Sequence, residues 1–372
     1  MSGLYVHIPF CVKKCHYCDF VIAPAVPAAK RAVFLEALEQ EARHVAPMVA
    51  GTVFETVYLG GGTPSVLGAS ELERLFGILR AHFRWGAGAE ITCEANPGDV
   101  DLEKARLLKD LGVNRVSLGA QSFHEDTLKR LNRSHGSADI ERSFRSLREA
   151  GFTNINLDLM LSLPGEPWEK ALFSLEKLAL LDPEHTSLYE LTVEDKTVFG
   201  ELKKKGKLEL PDEGQQFKIL SNARAFLERH GYRHYELLSY AKRGRESRHN
   251  LLYWANADTI GLGPGAWSHW LGRRWRFSDS HRQYLAKVAA GDWEPVEQET
   301  LGADRKQIES FLLALRLADG VAEARFAAVM RRFRNEIRGL AEKGLLLEQE
   351  GRLRLTARGQ FLAETVFAEL SC

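Results

Sequence analysis

An excess of one charge is missing from this sequence. Its 372 residues include 50 Lys and Arg and 50 Asp and Glu, so the formal net charge is zero. Proteins that bind nucleic acid over a broad surface usually carry a positive excess, although a local basic patch needs none. We therefore expect no nucleic-acid partner.

Long apolar runs are also missing, and cysteines are few. No uninterrupted apolar run of about 18 residues occurs, so no transmembrane helix is expected. The first residues lack the basic and apolar regions of a secretory signal. Five cysteines, an odd number in a long chain, fit a reducing compartment better than a disulfide framework. These features predict a cytoplasmic protein, in which Cys93 is a small core residue and Cys372 an exposed thiol.

Short β-rich runs alternate with amphipathic helical patterns through the first half of the sequence. The predicted strands are 4–8, 56–59, 90–94, 115–118, 155–160 and 186–191, and the predicted helices lie around 28–47, 70–83, 101–111, 124–131, 138–150 and 168–181. This alternation predicts parallel strands joined by crossover helices. Six units are too few for a closed eight-fold barrel, so we expect an α/β fold with a partial (βα)6 TIM-like barrel.

The second half of the sequence has a different pattern. A helix around 213–230 and a strand-like run at 235–238 predict an α+β region. Further on, apolar residues at helical spacing, a helix around 334–343, a β-hairpin over 345–355 and a last helix predict a winged-helix-like module that serves packing or partner docking. The predicted domains are therefore 1–200, 201–300 and 301–372.

Three cysteines lie within eight residues near the start of the chain. Cys11, Cys15 and Cys18 have the spacing C-x3-C-x2-C. Thiolates are soft ligands that suit iron–sulfur clusters, zinc or cuprous ions. Because a four-iron cluster normally takes four cysteines, three would leave one iron open to another ligand. Zinc with His7 or His16 as fourth ligand is an alternative, but the second ligand pair typical of zinc sites is not found; buried structural thiols are another.

Other candidate residues follow the ends of the next predicted strands. Gly60-Gly61-Gly62-Thr63-Pro64 follows the second strand, Glu94 ends the third, and Gln121 follows the fourth. The C-terminal ends of barrel strands form one face, where active sites of this architecture lie. We therefore expect these segments to meet the cysteine triad. Glycine lets the backbone approach a ligand closely, although a glycine triplet also suits a tight turn.

Together, the triad, the Gly-Gly-Thr-Pro segment and the six βα units resemble the radical S-adenosylmethionine (SAM) superfamily. The resemblance implies a [4Fe-4S] cluster whose open iron chelates the methionine part of SAM. It also implies that the reduced cluster can cleave SAM to a 5′-deoxyadenosyl radical.

Further segments resemble oxygen-independent coproporphyrinogen III oxidase and its relatives. These are Tyr5-Val6-His7-Ile8-Pro9-Phe10-Cys11, Gly119-Ala120-Gln121-Ser122-Phe123, Leu131-Asn132-Arg133 and Asn156-Leu157-Asp158-Leu159-Met160. Carried over by motif, the SAM contacts would be Tyr5, Tyr17, Gly61, Gly62, Thr63, Glu94, Gln121, Arg133, Asp158, Thr192 and Trp267, the last two through backbone only. Tyr17 would pack on adenine or shield the cluster. Each polar residue has an alternative role in a hydrogen bond at a strand end.

Two features differ from the oxidase. The oxidase has another cysteine two residues after the third, where this chain has Phe20, and it has a longer segment before the cluster. Both differences instead resemble the HemW heme chaperones. His249-Asn250-Leu251-Leu252-Tyr253-Trp254 matches the H-N-x-x-Y-W motif associated with that family and with heme binding, since an imidazole can ligate heme iron. A packed, hydrogen-bonded histidine is the alternative.

The resemblance implies a chaperone that binds the cluster, SAM and heme and delivers heme to respiratory proteins. It also implies possible homodimerisation and loose membrane association. Two other functions stay open at this point. One is oxygen-independent coproporphyrinogen III oxidase, which uses a 5′-deoxyadenosyl radical for oxidative decarboxylation; the other is a radical enzyme with an unrelated substrate.

Overall fold

The computed structural model describes residues 1–371, so Cys372, which was expected to be an exposed thiol, lies outside the described part. The strands, in chain order, are β1 (Ser2–Ile8), β2 (Phe10–Cys11), β3 (Ala23–Pro24), β4 (Val53–Gly61), β5 (Arg84–Ala95), β6 (Arg115–Gln121), β7 (Ile155–Leu161), β8 (His185–Glu190), β9 (Arg233–Glu236), β10 (Ser239–Ala241), β11 (Asp258–Leu262), β12 (Trp267–Trp270), β13 (Arg273–Arg276), β14 (Glu297–Thr300), β15 (Val321–Ala322), β16 (Leu346–Gln349) and β17 (Arg352–Leu355).

The helices, in the same order, are α1 (Ala28–Val45), α2 (Ala69–His82), α3 (Leu102–Asp110), α4 (Glu125–Arg130), α5 (Ser137–Glu149), α6 (Trp168–Leu181), α7 (Val198–Lys204), α8 (Glu213–Arg229), α9 (Arg248–Trp254), α10 (His281–Ala289), α11 (Ala303–Ala314), α12 (Glu323–Arg332), α13 (Arg334–Glu342), α14 (Ala357–Phe361) and α15 (Ala363–Glu369). Two short 3-10 helices, Ala46–Val49 and Pro64–Val66, follow α1 and β4.

A large sheet of 12 strands organises the described residues. Its order is β14-β13-β12-β11-β1-β4-β5-β6-β7-β8-β10-β9. The strands from β11 to β8 in this order pair in parallel, and antiparallel strands extend both edges. The strands predicted in the first half all overlap observed strands of this sheet. The protein therefore has an α/β fold built on a mostly parallel sheet.

Apolar residues fill the parallel strands because helices cover them. Leu4, Val6 and Ile8 of β1 are completely buried, as are Val57 and Leu59 of β4. Such nearly continuous apolar strands are typical of parallel sheets. Cys93 is fully buried in the same core, which confirms its predicted packing role.

The region 201–300 contributes strands to the same sheet. β11 pairs with β1, and β10 pairs with β8, so strands from this region extend both edges. The run at 235–238, predicted as one strand, instead begins in β9, turns at Leu237 and Leu238, and continues into β10. The domain boundaries near residues 200 and 300 stay predictions.

The last part of the chain has its own apolar core. Phe311, Leu340, Leu353 and Val366 are completely buried in a cluster separate from that of the large sheet. β15, β17 and β16 form a three-stranded antiparallel sheet beside helices α11 to α15, and the predicted hairpin is present as β16 and β17. Among residues 1–371, no helix has the length and apolar character needed to cross a membrane.

Candidate functional site

The cysteine loop begins directly after β1 and is closed by a miniature sheet. β2 and β3 pair in parallel, and the Ala25 N–H donates to the Cys11 carbonyl at 2.9 Å. The Cys18 N–H donates to the Cys15 carbonyl at 3.3 Å, which forms a turn between these cysteines. All three cysteines are half-buried and none is in a disulfide. The loop therefore presents three free thiols from a short, closed segment.

The turn after α4 supports this loop from the other side. The His16 N–H donates to the Leu131 carbonyl at 3.1 Å, and Asn132 Nδ2 donates to the Lys14 carbonyl at 2.7 Å. Asn132 has a φ of 59°, a left-handed conformation that Asn adopts more readily than most residues. The Leu131-Asn132-Arg133 segment thus fixes the position of the cysteine loop.

Arg133 extends from that turn into the site. Its Nη1 donates to Cys15 Sγ at 3.5 Å and to the Tyr17 hydroxyl at 3.3 Å. Its Nη2 donates to the Gly119 carbonyl at 2.7 Å and to the Asn96 side-chain oxygen. Its Nε is buried without a hydrogen-bond partner among the described residues. An unpartnered buried donor suits an anionic ligand group.

The glycine triplet brings β4 against the start of the cysteine loop. The Gly62 N–H donates to the Ile8 carbonyl at 2.8 Å, and the Thr63 N–H donates to the Phe10 carbonyl at 2.7 Å. Gly61 has a φ of 102°, and a Cβ there would lie 2.5 Å from the His7 ring. Thr63 Oγ1 lies 3.4 Å from Cys11 Sγ. Close packing therefore requires a glycine at position 61.

Burial sets the protonation of the first cysteine. It raises the pKa of Cys11 to about 11, more strongly than the Thr63 hydroxyl lowers it. The metal-free thiol is therefore protonated at neutral pH. Because iron binds thiolates, a cluster bound through Cys11 would require this thiol to lose its proton.

Glu94 lies at the end of β5, beside the glycine triplet. Its Oε1 accepts a hydrogen bond from the Tyr58 hydroxyl at 2.7 Å, and its Oε2 accepts one from the Gly61 N–H at 3.2 Å. Burial, together with the nearby Asp158 carboxylate, raises the pKa of Glu94 to about 7. The side chain is thus held in place and titrates near neutral pH.

Asp158 lies across the sheet on β7. Its carboxylate accepts hydrogen bonds from Asn156 Nδ2 at 2.7 Å and from the Ser117 hydroxyl at 3.1 Å. Burial raises the pKa of Asp158 above its ordinary value. Gln121, at the end of β6, has a φ of 65° where the register with β7 shifts. Both side chains face the same cavity as the cysteines.

This cavity, of about 510 Å³, collects most of the predicted site. We call it the cysteine cavity. Its walls include Cys11, Cys15, Cys18, Tyr17, Gly61, Gly62, Thr63, Glu94, Gln121, Arg133, Asp158 and Thr192. Thiols, glycines, carboxylates and a guanidinium in one cavity suit a cluster with an amino-acid-like ligand, so the residues present fit the predicted cofactors.

Tyr5 and Trp267 lie elsewhere. They line a second cavity of about 630 Å³, which we call the aromatic cavity. The two cavities share the wall residues Asp19, Phe20, Gly61 and Glu94. Within the described chain no three His, Cys, Asp or Glu side chains are arranged around a single metal ion. This is compatible with the triad, since ligands of a four-iron cluster bind different irons and stand farther apart.

His249 is 1% exposed in α9 and lines neither cavity. Its Nδ1 lies 2.7 Å from Thr56 Oγ1, and its Nε2 lies 2.9 Å from the Tyr253 hydroxyl. Burial lowers the pKa of His249 to about 3, so the ring is neutral. Both ring nitrogens thus have protein partners. Of His249 and these two partners, Tyr253 lines the aromatic cavity.

Three supporting residues were missed by the sequence analysis. Tyr58 donates a hydrogen bond to Glu94, and Asn96 accepts one from Arg133. Ser117 donates a hydrogen bond to Asp158. Tyr58 lies two residues before Gly60 on the same strand, and residues two apart on a strand share a face. The spacing could therefore have predicted that Tyr58 lies on the same side of the sheet as the glycine triplet. Asn96 follows Glu94 by two residues, just after a strand end.

A sequence profile of the Radical SAM superfamily matches residues 5–178. A relative named heme chaperone HemW from Bacillus subtilis is 36% identical, over 99% of this chain and 98% of its own length. The chain belongs to the heme chaperone HemW family. A HemW from Escherichia coli is 39% identical over 71% of this chain and 69% of its own length.

Solved structures give a consistent result for this HemW-family chain. The coproporphyrinogen III oxidase HemN from Escherichia coli, a radical SAM enzyme, has a TM-score of 0.88 and 26% identity, and the alignment covers 100% of this chain and 90% of that one. Membership of the radical SAM superfamily implies a [4Fe-4S] cluster and SAM as cofactors. The cysteine cavity has the ligand types that both require.

Proposed function

We propose that this chain is a heme chaperone that binds a [4Fe-4S] cluster, SAM and heme and delivers heme to respiratory proteins. The observation that carries the proposal is the near full-length similarity to relatives named heme chaperone HemW. The position that is cysteine in the related oxidase is Phe20, whose side chain is 70% exposed at the wall between the two cavities. This difference favours heme handling over porphyrin oxidation.

Within the proposal, the residues of the cysteine cavity divide by their chemistry. Cys11, Cys15 and Cys18 bind three irons of the cluster, which supplies an open iron for SAM when bound. Arg133 pairs with the SAM carboxylate, since a guanidinium is the preferred partner of a carboxylate. Gly61, Gly62 and Thr63 lie beside the methionine. Glu94 and Asp158 accept hydrogen bonds from its amino group and from the ribose hydroxyls, and the amide of Gln121 accepts or donates one there.

The remaining proposed SAM contacts are less central. Tyr17, which accepts a hydrogen bond from Arg133, packs on adenine or shields the cluster. Thr192 lies at the exposed rim of the cysteine cavity. Tyr5 and Trp267 line the aromatic cavity instead, so their contact with SAM requires that the ligand extend across the shared wall at Gly61 and Glu94.

His249 is proposed to act on heme through its partner. In the present conformation its Nε2 is occupied by the Tyr253 hydroxyl, and direct ligation of iron would require that this hydrogen bond break. Tyr253 lines the aromatic cavity, so a heme there would contact the motif through Tyr253. The motif would then act as a wall of the heme site, positioned by His249.

We also infer the finer architecture. Side chains from β4, β5, β7 and β8 interact electrostatically at one place, since Glu94, Tyr189 and Asp158 all act on Tyr58. This convergence is expected if the parallel strands curve into a partial barrel. The separate core and three-stranded sheet of residues 303–369 support a winged-helix-like module.

Localisation and assembly form part of the same proposal. The described cysteines are all free, which suits a reducing cytoplasm. Homodimerisation and loose association with a membrane surface are expected only by resemblance to the family.

A second candidate function is favoured by one observation. The full-length structural similarity to coproporphyrinogen III oxidase leaves a coproporphyrinogen decarboxylase as the alternative. To separate the two, the cluster is reconstituted anaerobically, SAM and reductant are added, and heme binding and coproporphyrinogen decarboxylation are measured in parallel. One heme bound per chain without decarboxylation supports the chaperone. Robust formation of protoporphyrinogen would contradict it.

A further inference from the structure

Two of the three cysteine sulfurs have a side-chain hydrogen-bond partner in the cysteine cavity. Thr63 Oγ1 lies 3.4 Å from Cys11 Sγ, and Arg133 Nη1 lies 3.5 Å from Cys15 Sγ. Thr63 comes from the segment after β4, and Arg133 from the turn after α4. Although they are far apart in the sequence, both residues contact one further side chain, that of Asn96.

Asn96 lies just after β5 and joins these two residues. Its side-chain oxygen accepts a hydrogen bond from Arg133 Nη2, and its Nδ2 donates to Thr63 Oγ1 at 3.1 Å. Its backbone N–H donates to Ser65 Oγ at 3.1 Å, which fixes the start of this loop. A series of hydrogen bonds therefore runs from Arg133 through Asn96 and Thr63 to Cys11. We call it the Asn96 network.

The direction of every hydrogen bond in the Asn96 network follows from the groups that form it. A guanidinium can only donate, so the atom of Asn96 that faces Arg133 is the amide oxygen. The other end of the amide is an NH2 group, which can only donate, so Thr63 Oγ1 is its acceptor. The single proton of the Thr63 hydroxyl is then left for Cys11, whose sulfur is an acceptor once it is a thiolate.

Donors that point at cysteine sulfurs change the electronic properties of an iron–sulfur cluster. Hydrogen bonds to the sulfurs are among the factors that set its reduction potential. Reduction adds negative charge to the cluster, so a donor beside a sulfur stabilises the reduced form more than the oxidised form and raises the potential. The hydroxyl of Thr63 and the cationic guanidinium of Arg133 both act in this direction.

We propose that Asn96 is a positioning residue that raises the reduction potential of the cluster through its two partners. It fixes the Thr63 hydroxyl as a donor to Cys11, and it holds the guanidinium of Arg133 beside Cys15. The inference rests on the proposed function, because it takes these cysteines as cluster ligands. It adds to that function a side chain that controls how readily the cluster accepts an electron.

The test is the midpoint potential of the anaerobically reconstituted cluster, measured without SAM by a reductive titration that electron paramagnetic resonance follows. Thr63→Val keeps the shape of the side chain and removes the hydroxyl. The equilibrium constant for one-electron reduction is expected to fall about tenfold, a shift of about 59 mV to lower potential. Thr63→Ser keeps the hydroxyl and should restore the wild-type potential.

Ser65→Ala is the matched control for the loss of a hydroxyl. Ser65 is completely buried in the same segment as Thr63, but its hydroxyl bonds to Asp99 and to the Asn96 backbone and contacts no cysteine sulfur among the described residues. Its loss should leave the potential as in wild type. A shift in Ser65→Ala equal to that in Thr63→Val would mean that any change in this segment alters the cluster, and it would overturn the proposal.

Asn96→Asp tests the amide itself. A carboxylate can still pair with Arg133 but cannot donate to Thr63, so the Thr63 hydroxyl should turn to the carboxylate and leave Cys11. The added negative charge should lower the potential as well, and a double-mutant cycle with Thr63→Val separates the two effects. The Asn96 network predicts a smaller shift in the Thr63→Val background, where no hydroxyl can turn. Equal shifts in both backgrounds would mean that position 96 acts through charge alone, which contradicts the proposal.

Iron content separates this inference from the function on which it rests. If the wild-type protein assembles no cluster, the proposed function fails and the inference fails with it. If wild type and Thr63→Val bind the same amount of iron and have the same midpoint potential, the role of Asn96 is overturned while the cluster site stands.

Discussion

The cysteine cavity and the aromatic cavity share a wall, but the residues of the first could be predicted from the sequence far better than those of the second. The cysteine cavity is lined by short motifs that follow consecutive parallel strands, and each motif has a distinctive composition. The aromatic cavity draws on the cysteine loop, on α9, on β12 and on α11, which are far apart in the chain. Chemistry concentrated in motifs can be read locally, whereas a cavity assembled from single side chains depends on how the elements pack.

The two cavities also differ in the groups that line them. In the cysteine cavity, Glu94 and Asp158 each accept two hydrogen bonds, and Arg133 donates several, although its Nε has no partner among residues 1–371. The aromatic cavity is lined in part by large aromatic side chains such as Phe20 and Trp267. Positioned polar groups suit a ligand bound in one orientation, whereas an aromatic wall suits a flat, apolar ligand.

The largest expected effect is on the cluster, which should belong to the cysteine cavity alone. Cys15 is half-buried and accepts a hydrogen bond from Arg133. Cys15→Ala leaves two thiols for a four-iron cluster, so we expect the reconstituted protein to lose nearly all of its bound iron and its charge-transfer absorption. Chemical iron analysis and the visible spectrum after anaerobic reconstitution measure this loss.

Cys93→Ala is the matched control, because Cys93 lies in the core beside Glu94 and not in the loop. It should retain wild-type iron and lose stability on the order of 1 kcal/mol. Iron content that stays at the wild-type value in Cys15→Ala would remove the triad as the cluster site. If Cys15→Ala binds heme with wild-type affinity, heme binding does not depend on the cluster, which supports separate sites for the two.

The features that could be predicted from the sequence belong mainly to the parallel strands and the cysteine cavity. The parallel strands were predictable because period-two and continuous apolar patterns recur with helices between them, as in β1 and β4. The strands β12 to β14 were not, since they extend the sheet edge with residues such as Trp267, Arg273 and Glu297 that have no clear apolar alternation. The cysteine triad was evident from its spacing, and its role as the cluster ligand stays a proposal. The wall of the aromatic cavity was not evident, since residues as far apart in the chain as Val21 and Leu313 meet there only through packing.

An intermediate effect is expected at Glu94, in the wall that the cavities share. Its pKa of about 7, raised by burial from an ordinary 4.5, has two opposite consequences. The folded protein holds this proton where the unfolded chain has lost it, so the contribution to stability is largest below pH 4.5 and is lost as the pH rises through about 7. SAM affinity should change in the other direction, because the carboxylate is the hydrogen-bond acceptor: we expect about tenfold weaker binding for each pH unit below 7.

Tyr58→Phe tests the origin of this titration. The hydrogen bond from the Tyr58 hydroxyl lowers the pKa of Glu94, so its loss should move the midpoint of the pH dependence of SAM affinity to higher pH. Glu94→Gln should make SAM affinity nearly independent of pH. Isothermal titration between pH 5.5 and 8.5 measures both. Glu41 offers the matched control: burial also raises its pKa to about 7, and it accepts hydrogen bonds from Tyr284 and the Gly263 N–H, but it lines neither cavity. Tyr284→Phe should therefore leave the SAM profile unchanged, and a shift there equal to that of Tyr58→Phe would count against a local role for Glu94.

The smallest expected effect on folding is at Phe20, which also tests whether the shared wall separates two functions. Because its side chain is 70% exposed, Phe20→Ala should change the free energy of unfolding by no more than about 0.5 kcal/mol and leave the iron content as in wild type. Its loss should nevertheless weaken heme binding several-fold, since an aromatic wall is removed, while SAM affinity changes little. Phe20→Cys introduces a cysteine at the position where the oxidase-like pattern has one, and it should add neither iron nor decarboxylation, because Cys11, Cys15 and Cys18 are the three proposed ligands. Measurable decarboxylation by Phe20→Cys would instead make this single wall residue the difference between a chaperone and an oxidase.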